Sequence, residues 1–204
     1  MLNSVTEATG GVRTRSRLSP AERRRQLLGI GLQMLVDKPI QDLSLDAVAA
    51  QAGISRGLLF HYFPTKTDYY DAVVAAALRR VARNIAPDEG ASPQEALRQI
   101  VERIYAQIDR RRDFYLALIF GNGAVNLGGE GVESHRRGFA RRVADAARLP
   151  ESTLPTIHAW VAYVEDRALQ WSALEPDDRA PVGAEVDHCC AALHALSSLE
   201  GIGS

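Results

Sequence analysis

The sequence predicts an all-α protein: a small N-terminal helix-turn-helix domain of three helices, followed by a larger C-terminal helical domain. Three observations carry that expectation. Apolar residues recur three and four positions apart in one segment after another, which is the period of a helix face. Ser or Thr followed three residues later by an acid opens several of these segments, the pattern of a capping box. Alternating apolar and polar runs are nearly absent, so strands are not expected.

Residues 1–18 are polar, carry Arg13, Arg15 and Arg17 among Thr and Ser, and read as a mobile arm. The first domain is expected over 19–85. Its first helix opens at "SPAE", with Ser19 as N-cap, Pro20 at the first helical position and Glu22 three after the cap. Leu27, Ile30, Met34 and Leu35 give that helix one apolar face. Gly29 and Gly31 interrupt it, at about 1 kcal/mol each against Ala; close helix packing is the candidate reason. "LSLDAVAAQAG" gives a second helix, capped by Ser44, lined by Leu45, Val48 and Ala49, and stopped by Gly53 in the left-handed region. Ser55 caps a third helix almost at once, and Pro64 ends it. Thr65 and Asp68 form a capping box for a fourth, which runs to about Ile85.

The second domain is expected over 86–204. "SPQEALRQIVERIYAQIDRRR" is amphipathic, with Leu97, Ile100, Val101, Ile104 and Ile108 in register. "DFYLALIF" reads as a short apolar helix, and the glycine-rich "GNGAVNLGGEGVES" as a loop. That loop lacks the G-x-G-x-x-G spacing and follows no strand, so it is not expected to cradle phosphate. Helices near 131–148, 156–174 and 181–199 complete the set.

Composition narrows the function classes. Residues 1–86 hold 12 Lys or Arg against 7 acids, and the remaining residues hold 12 against 18. A basic first part on an acidic remainder points to a polyanionic partner for the first part only. Cys189 and Cys190 are adjacent, which suits neither a disulfide framework nor a zinc site and fits a reducing cytoplasm. The N-terminus lacks a signal-peptide core, and no run approaches the roughly 18 apolar residues needed to span a bilayer. A soluble cytoplasmic protein with no membrane association and no cofactor is expected.

The stretch "GISRGLLFHYFPTK" mixes cations, aromatics and a histidine. On a helical wheel Leu59, Tyr62 and Phe63 share an arc that should face a core, while Arg56, Gly57, Phe60 and His61 face away. Water does not call for that outward face, but a DNA major groove does. Arg56 can donate in fork fashion to guanine, and Phe60 can meet a thymine methyl. Gly57 lets the backbone approach closely. His61 and Tyr62 can donate to phosphates, and Lys66 stands where a phosphate would meet a helix N-terminus.

With those residues in place, "LSLDAVAAQAGISRGLLFHYFPTKTDYYDAVV" resembles the N-terminal domain of TetR-type transcriptional regulators. The resemblance covers about residues 20 to 82. Ala49, Ala52, Gly53, the "IS" turn, the helix after it and Lys66 stand at the family's spacing. It implies a helix-turn-helix motif near 44–63, a recognition helix over 55–63, and phosphates held by Ser44 and Lys66. The candidate set for double-stranded operator DNA is therefore Ser44, Ser55, Arg56, Gly57, Leu58, Phe60, His61, Tyr62, Thr65 and Lys66. Two positions depart from the pattern. The family usually has Tyr where this chain has Phe60, so a hydroxyl contact is lost. Asp46 stands where some members carry a base-reading cation, so the second helix is expected to make no base contact.

The resemblance also implies that the second domain binds a small molecule and forms a homodimer, with repression as the common mode. Trp160, Val161, Val164, Ala168 and Trp171 line one side of one helix, and Ala184, Cys190, Ala191 and Ala195 permit close approach to another. Meeting their symmetry mates, these helices make a four-helix interface; ordinary intramolecular core is the other reading. Pocket candidates are Tyr105, Phe114, Tyr115, Phe120, Trp160, Tyr163 and Trp171, with Asn122 and His158 as polar anchors for a mostly apolar effector. No metal is expected, since adjacent cysteines point to different sides of a helix. Glu165 and Asp166 sit near His158 in sequence, but no nucleophile has a base at recognisable spacing, so an enzyme is disfavoured. An effector-independent DNA-binding protein is the alternative, and it requires a solidly filled second domain.

Overall fold

The computed structural model describes residues 18–37, 42–120 and 130–200, and among these it contains helices and no strand. The first four helices are α1 (Pro20–Asp37), α2 (Leu45–Ala52), α3 (Arg56–Tyr62) and α4 (Lys66–Asn84). The remainder are α5 (Pro93–Arg110), α6 (Arg112–Phe120), α7 (Glu130–Ala147), α8 (Leu154–Ala173) and α9 (Val182–Glu200). Residues 1–17 of the expected arm and residues 121–129 of the glycine-rich segment lie outside the described residues. Residues 131–134, where the expected loop and the expected helix near 131–148 overlap, belong to α7, which begins at Glu130.

Local signals position the elements. Ser19 and Glu22 satisfy each other's backbone N–H groups at 3.3 and 2.8 Å, opening α1. Ser44, Ser55 and Ser92 accept from the N–H three residues on, and Thr65 with Asp68 completes a reciprocal box. Each cap satisfies donors that the first helical turn leaves open.

Two apolar clusters result. Leu27, Val48, Leu59, Phe63, Tyr69 and Val73 are fully buried at the centre of the first, which unites α1 to α4. Val101, Tyr105, Ile108, Val143, Trp160 and Val164 centre the second, built from α5 to α9. α4 belongs to both: Tyr69 through Leu78 pack in the first cluster, Val81 and the following Ile85 in the second. Phe114 on α6 packs against both clusters as well. Polar ties fasten α9 to the second cluster. Glu185 accepts from Tyr105 at 2.9 Å and from Arg167 at 2.6 Å, and the Trp160 indole donates to the Cys189 carbonyl at 2.8 Å.

The two mid-helix glycines of α1 have different reasons. A Cβ on Gly31 would lie 2.6 Å from both Tyr69 Oη and Val73 Cγ2, whereas one on Gly29 meets nothing within 4 Å. Tyr69 cannot give way, because it is fully buried and donates to the Leu27 carbonyl at 2.8 Å. Gly31→Ala is expected to destabilise the protein by about 1–2 kcal/mol, overpacking outweighing the gain in helix propensity. Gly29→Ala should stabilise it by up to about 1 kcal/mol. Urea unfolding of the two variants checks the contrast, and a shift of both in the same direction contradicts it.

Candidate nucleic-acid interface

The turn between α2 and α3 is set by one glycine. Gly53 adopts φ +66°, and its N–H and that of Ile54 donate to Ala50 and Ala49, closing the end of α2. Ser55 then caps α3, so a three-residue joint, Gly53 to Ser55, connects the two helices. Leu59 and Phe63 are buried and hold α3 on the first core. Arg24 reaches from α1 to close the far end of α3: its guanidinium stacks 4.3 Å over Phe63 and donates to the Tyr62 carbonyl at 2.9 Å. Periodicity gave no sign of this role, since Arg24 and Tyr62 lie 38 residues apart.

With α3 so held, Arg56, Gly57, Leu58 and His61 stand exposed together. Phe60 and Tyr62 are half-buried and pack against the first core. The wheel therefore needs adjusting: Phe60 lies at the edge of the outward face, and Leu58 stands further out than it. Gly57 has no internal steric reason to be glycine, because a Cβ there would meet only Ser55 Oγ at 3.9 Å. Ser44 and Ser55 spend their hydroxyls as caps, and Thr65 Oγ1 both accepts from the Asp68 N–H and donates to its carboxylate. Lys66, at the start of α4, places its ammonium 5.0 Å from the Tyr70 ring centre, and Tyr70 donates to the Leu43 carbonyl.

One arrangement was not foreseen. Arg56 Nη1 lies 3.0 and 2.9 Å from the two carboxylate oxygens of Asp46, and the guanidinium sits 5.5 Å over the Phe60 ring. The outward face thus carries a cation already engaged by its own protein.

The expected pocket residues fare differently. Tyr105, Tyr115 and Trp160 are buried in the second core, packed against their neighbours. Tyr163 is corrected outward: it is exposed on α8, with its hydroxyl 2.5 Å from His188 Nε2. Trp171 is half-buried under Arg179 and donates to the Ala180 carbonyl, and Phe114 bridges the two cores. His158 is half-buried and near Glu165. Asn122 and the Phe120 side chain lie outside the described residues. A cleft of about 370 Å³ opens elsewhere, between the end of α4, α5 and α7. Ala82, Ile85, Ile100 and Phe139 line its apolar part, with Arg142 and Asp145 as its charged groups. None of the seven expected pocket residues whose side chains are described lines it.

The expected interface stripe is corrected too. Trp160, Val161, Val164 and Ala168 face the intramolecular core. On α9, Ala184, His188, Ala191, Ala195 and Ser198 form an exposed stripe, next to Tyr163 on α8. Cys189 faces the core and His188 faces out, and the described residues contain no group of three metal-ligating side chains. Glu165 is the buried acid that an enzyme reading would need, and burial pushes its carboxyl above the usual range against the pull of Arg136 and His158. It is paired with Arg136 between α8 and α7 at 3.0 Å and does not line the cleft. Among the described residues no helix is long and apolar enough to cross a membrane.

Comparisons with known proteins agree with this geometry. Residues 27–73 match the family model for bacterial regulatory proteins of the tetR family. The chain is similar to the HTH-type transcriptional activator FasR of Mycolicibacterium smegmatis, 30% identical over 57% of this chain and 53% of that protein. It is also similar to the HTH-type transcriptional regulator BetI of Cronobacter sakazakii, 34% identical over 39% of this chain and 42% of that protein. The chain thus spans about half the length of these curated relatives. Among solved structures, a tetR-family transcriptional regulator from Streptomyces coelicolor shares the fold, with TM-score 0.69 and 24% identity over 92% of this chain and 85% of that one. The fatty acid degradation regulator FadR from Bacillus halodurans aligns with TM-score 0.59 and 13% identity, over 87% of this chain and 96% of that one.

Proposed function

We propose, from the match of residues 27–73 to the family model for bacterial regulatory proteins of the tetR family, that the chain is a sequence-specific DNA-binding transcriptional regulator acting as a homodimer. One observation carries the reading: α3 is locked to a core on one side and presents Arg56, Gly57, Leu58 and His61 together on the other. That combination suits a base edge and a phosphate wall better than water. Lys66 adds a cation at the N-terminus of α4, where a phosphate is favoured.

Control by a small, mostly apolar effector is part of the proposal, with repression relieved on binding as its mode. The cleft at the end of α4 is the better candidate for its site, since it is open and largely apolar while Tyr105 and Trp160 are packed. α4 runs from Lys66 on the DNA side to Ile85 at the cleft. An effector that prefers one setting of α4 shifts operator affinity by its differential binding, and a 5- to 150-fold response needs only about 1–3 kcal/mol. FasR is named an activator, so a promoter-reporter assay fixes the direction of control for this chain.

The test is selection of DNA fragments by the purified full chain, followed by binding measurements across salt concentrations. Lys66→Ala should weaken every sequence alike and flatten the log–log salt slope by about one unit. Failure of the chain to enrich any sequence over random DNA overturns the regulator reading. A broad lipophilic panel that releases no operator favours an effector-independent DNA-binding protein.

A further inference from the structure

We propose that Asp46 is a positioning residue for base recognition: its carboxylate holds the Arg56 guanidinium in one pose, so that the remaining donors read a single base pair. This rests on the DNA-binding reading above. Both partners stand in the first turn of a capped helix, Asp46 behind Ser44 and Arg56 directly behind Ser55. Their backbones are therefore fixed relative to each other by the Gly53 turn. The guanidinium is gripped twice, at Nη1 by both carboxylate oxygens and on one face by the Phe60 ring. Among the described residues, the hydrogen bonds of Arg56 all run through Nη1, which leaves Nε and Nη2 as a free pair of donors. Two donors in a fixed fork match guanine O6 and N7.

The pair does little for folding. Its side chains are 58% and 68% exposed, and an ion pair so wet contributes almost nothing to stability. Orientation is where it acts. A free arginine loses much rotamer freedom when it docks on a base, and a side chain already held loses less. As DNA displaces water the attraction strengthens, because the local dielectric falls. The carboxylate also repels phosphates, so it opposes binding at any wrong register. Asp46 thus lowers non-specific affinity and raises discrimination, although it touches no guanine itself.

The test uses the full chain, its selected operator, and operator variants at each base position. Arg56→Ala identifies the base pair that Arg56 reads. Asp46→Ala should then reduce preference at that same pair by about 2- to 13-fold, the value of one pre-held side chain, while binding to random DNA tightens. In an Arg56→Ala background, Asp46→Ala should leave base preference unchanged. Both positions are exposed, so thermal unfolding should hardly move. The inference is overturned if Asp46→Ala keeps full preference at that pair, or if it alters preference equally with and without Arg56. If Arg56→Ala leaves every base preference intact, base reading by Arg56 fails and the role of Asp46 with it. Operator selection by the unaltered chain then still reports separately on the regulator reading.

Discussion

A glutamate at Ala191 or Ala195 is expected to convert the full chain to a monomer and to drop operator affinity toward the non-specific range, roughly 10³-fold or more. Both alanines are exposed on α9, in a stripe with Ala184, His188 and Ser198. Small side chains there let a second α9 approach closely, and Tyr163, tied to His188, extends the face onto α8. In a two-fold dimer each substitution enters the interface twice, with its symmetry mate nearby. Burying such a carboxylate without a partner is costly. The isolated chain should tolerate it, because neither position belongs to the core. Light scattering and DNA binding on the same preparations check the result, with thermal unfolding as the folding control. In the intact dimer the two α3 helices should sit about 34–36 Å apart or a multiple of that, matching successive major grooves. A monomeric variant that binds the full operator with unchanged affinity removes the dimer from the proposal.

What was legible in the sequence was local. The caps at Ser19, Ser44, Ser55 and Thr65 and the turn at Gly53 are short-range chemistry. They place α1 to α4 to within a residue or two, and with them the outward face of α3. What was not legible depends on residues far apart in sequence. The grip of Asp46 on Arg56 needs the angle between two helices, and the reach of Arg24 to Tyr62 needs α1 packed across α3. Gly29 and Gly31 look alike until Tyr69 and Val73 are brought beside one of them. The second domain shows the limit most plainly. Tyr105, Trp160 and Tyr163 share a composition that suits core, pocket or interface equally. Only packing separates the fully buried Trp160 from the exposed Tyr163. The cleft is lined largely by alanines and isoleucines at the meeting of three helices, and no spacing rule marks such residues.

The second large effect is expected inside the second domain. Arg136 on α7 and Glu165 on α8 pair at 3.0 Å, with side chains only 21% and 7% exposed. Arg136→Ala should cost about 3–5 kcal/mol, because it strands a carboxylate in the interior. Replacing both, as Arg136→Met with Glu165→Leu, should be nearly neutral or stabilising, since neither charge then has to be desolvated. The pH dependence follows from the direction of the Glu165 shift. Burial holds its carboxyl above the usual value even with Arg136 beside it, so the folded chain binds this proton more tightly than the unfolded chain does. Its favourable contribution is complete below the ordinary glutamate value of about 4.3 and is lost as pH rises through the raised folded value. Relative to Glu165→Gln, the unaltered chain should therefore lose stability across a window that opens near pH 4.3 and extends upward. Arg136→Ala removes the larger of the two opposing pulls, leaving that of His158, and should carry that window to higher pH. Urea unfolding at several pH values between about 4 and 8 measures both effects on one scale. An Arg136→Ala variant as stable as the unaltered chain, or a Glu165→Gln difference that stays flat with pH, means that this pair is solvated and that α7 and α8 are held together by their apolar contacts alone.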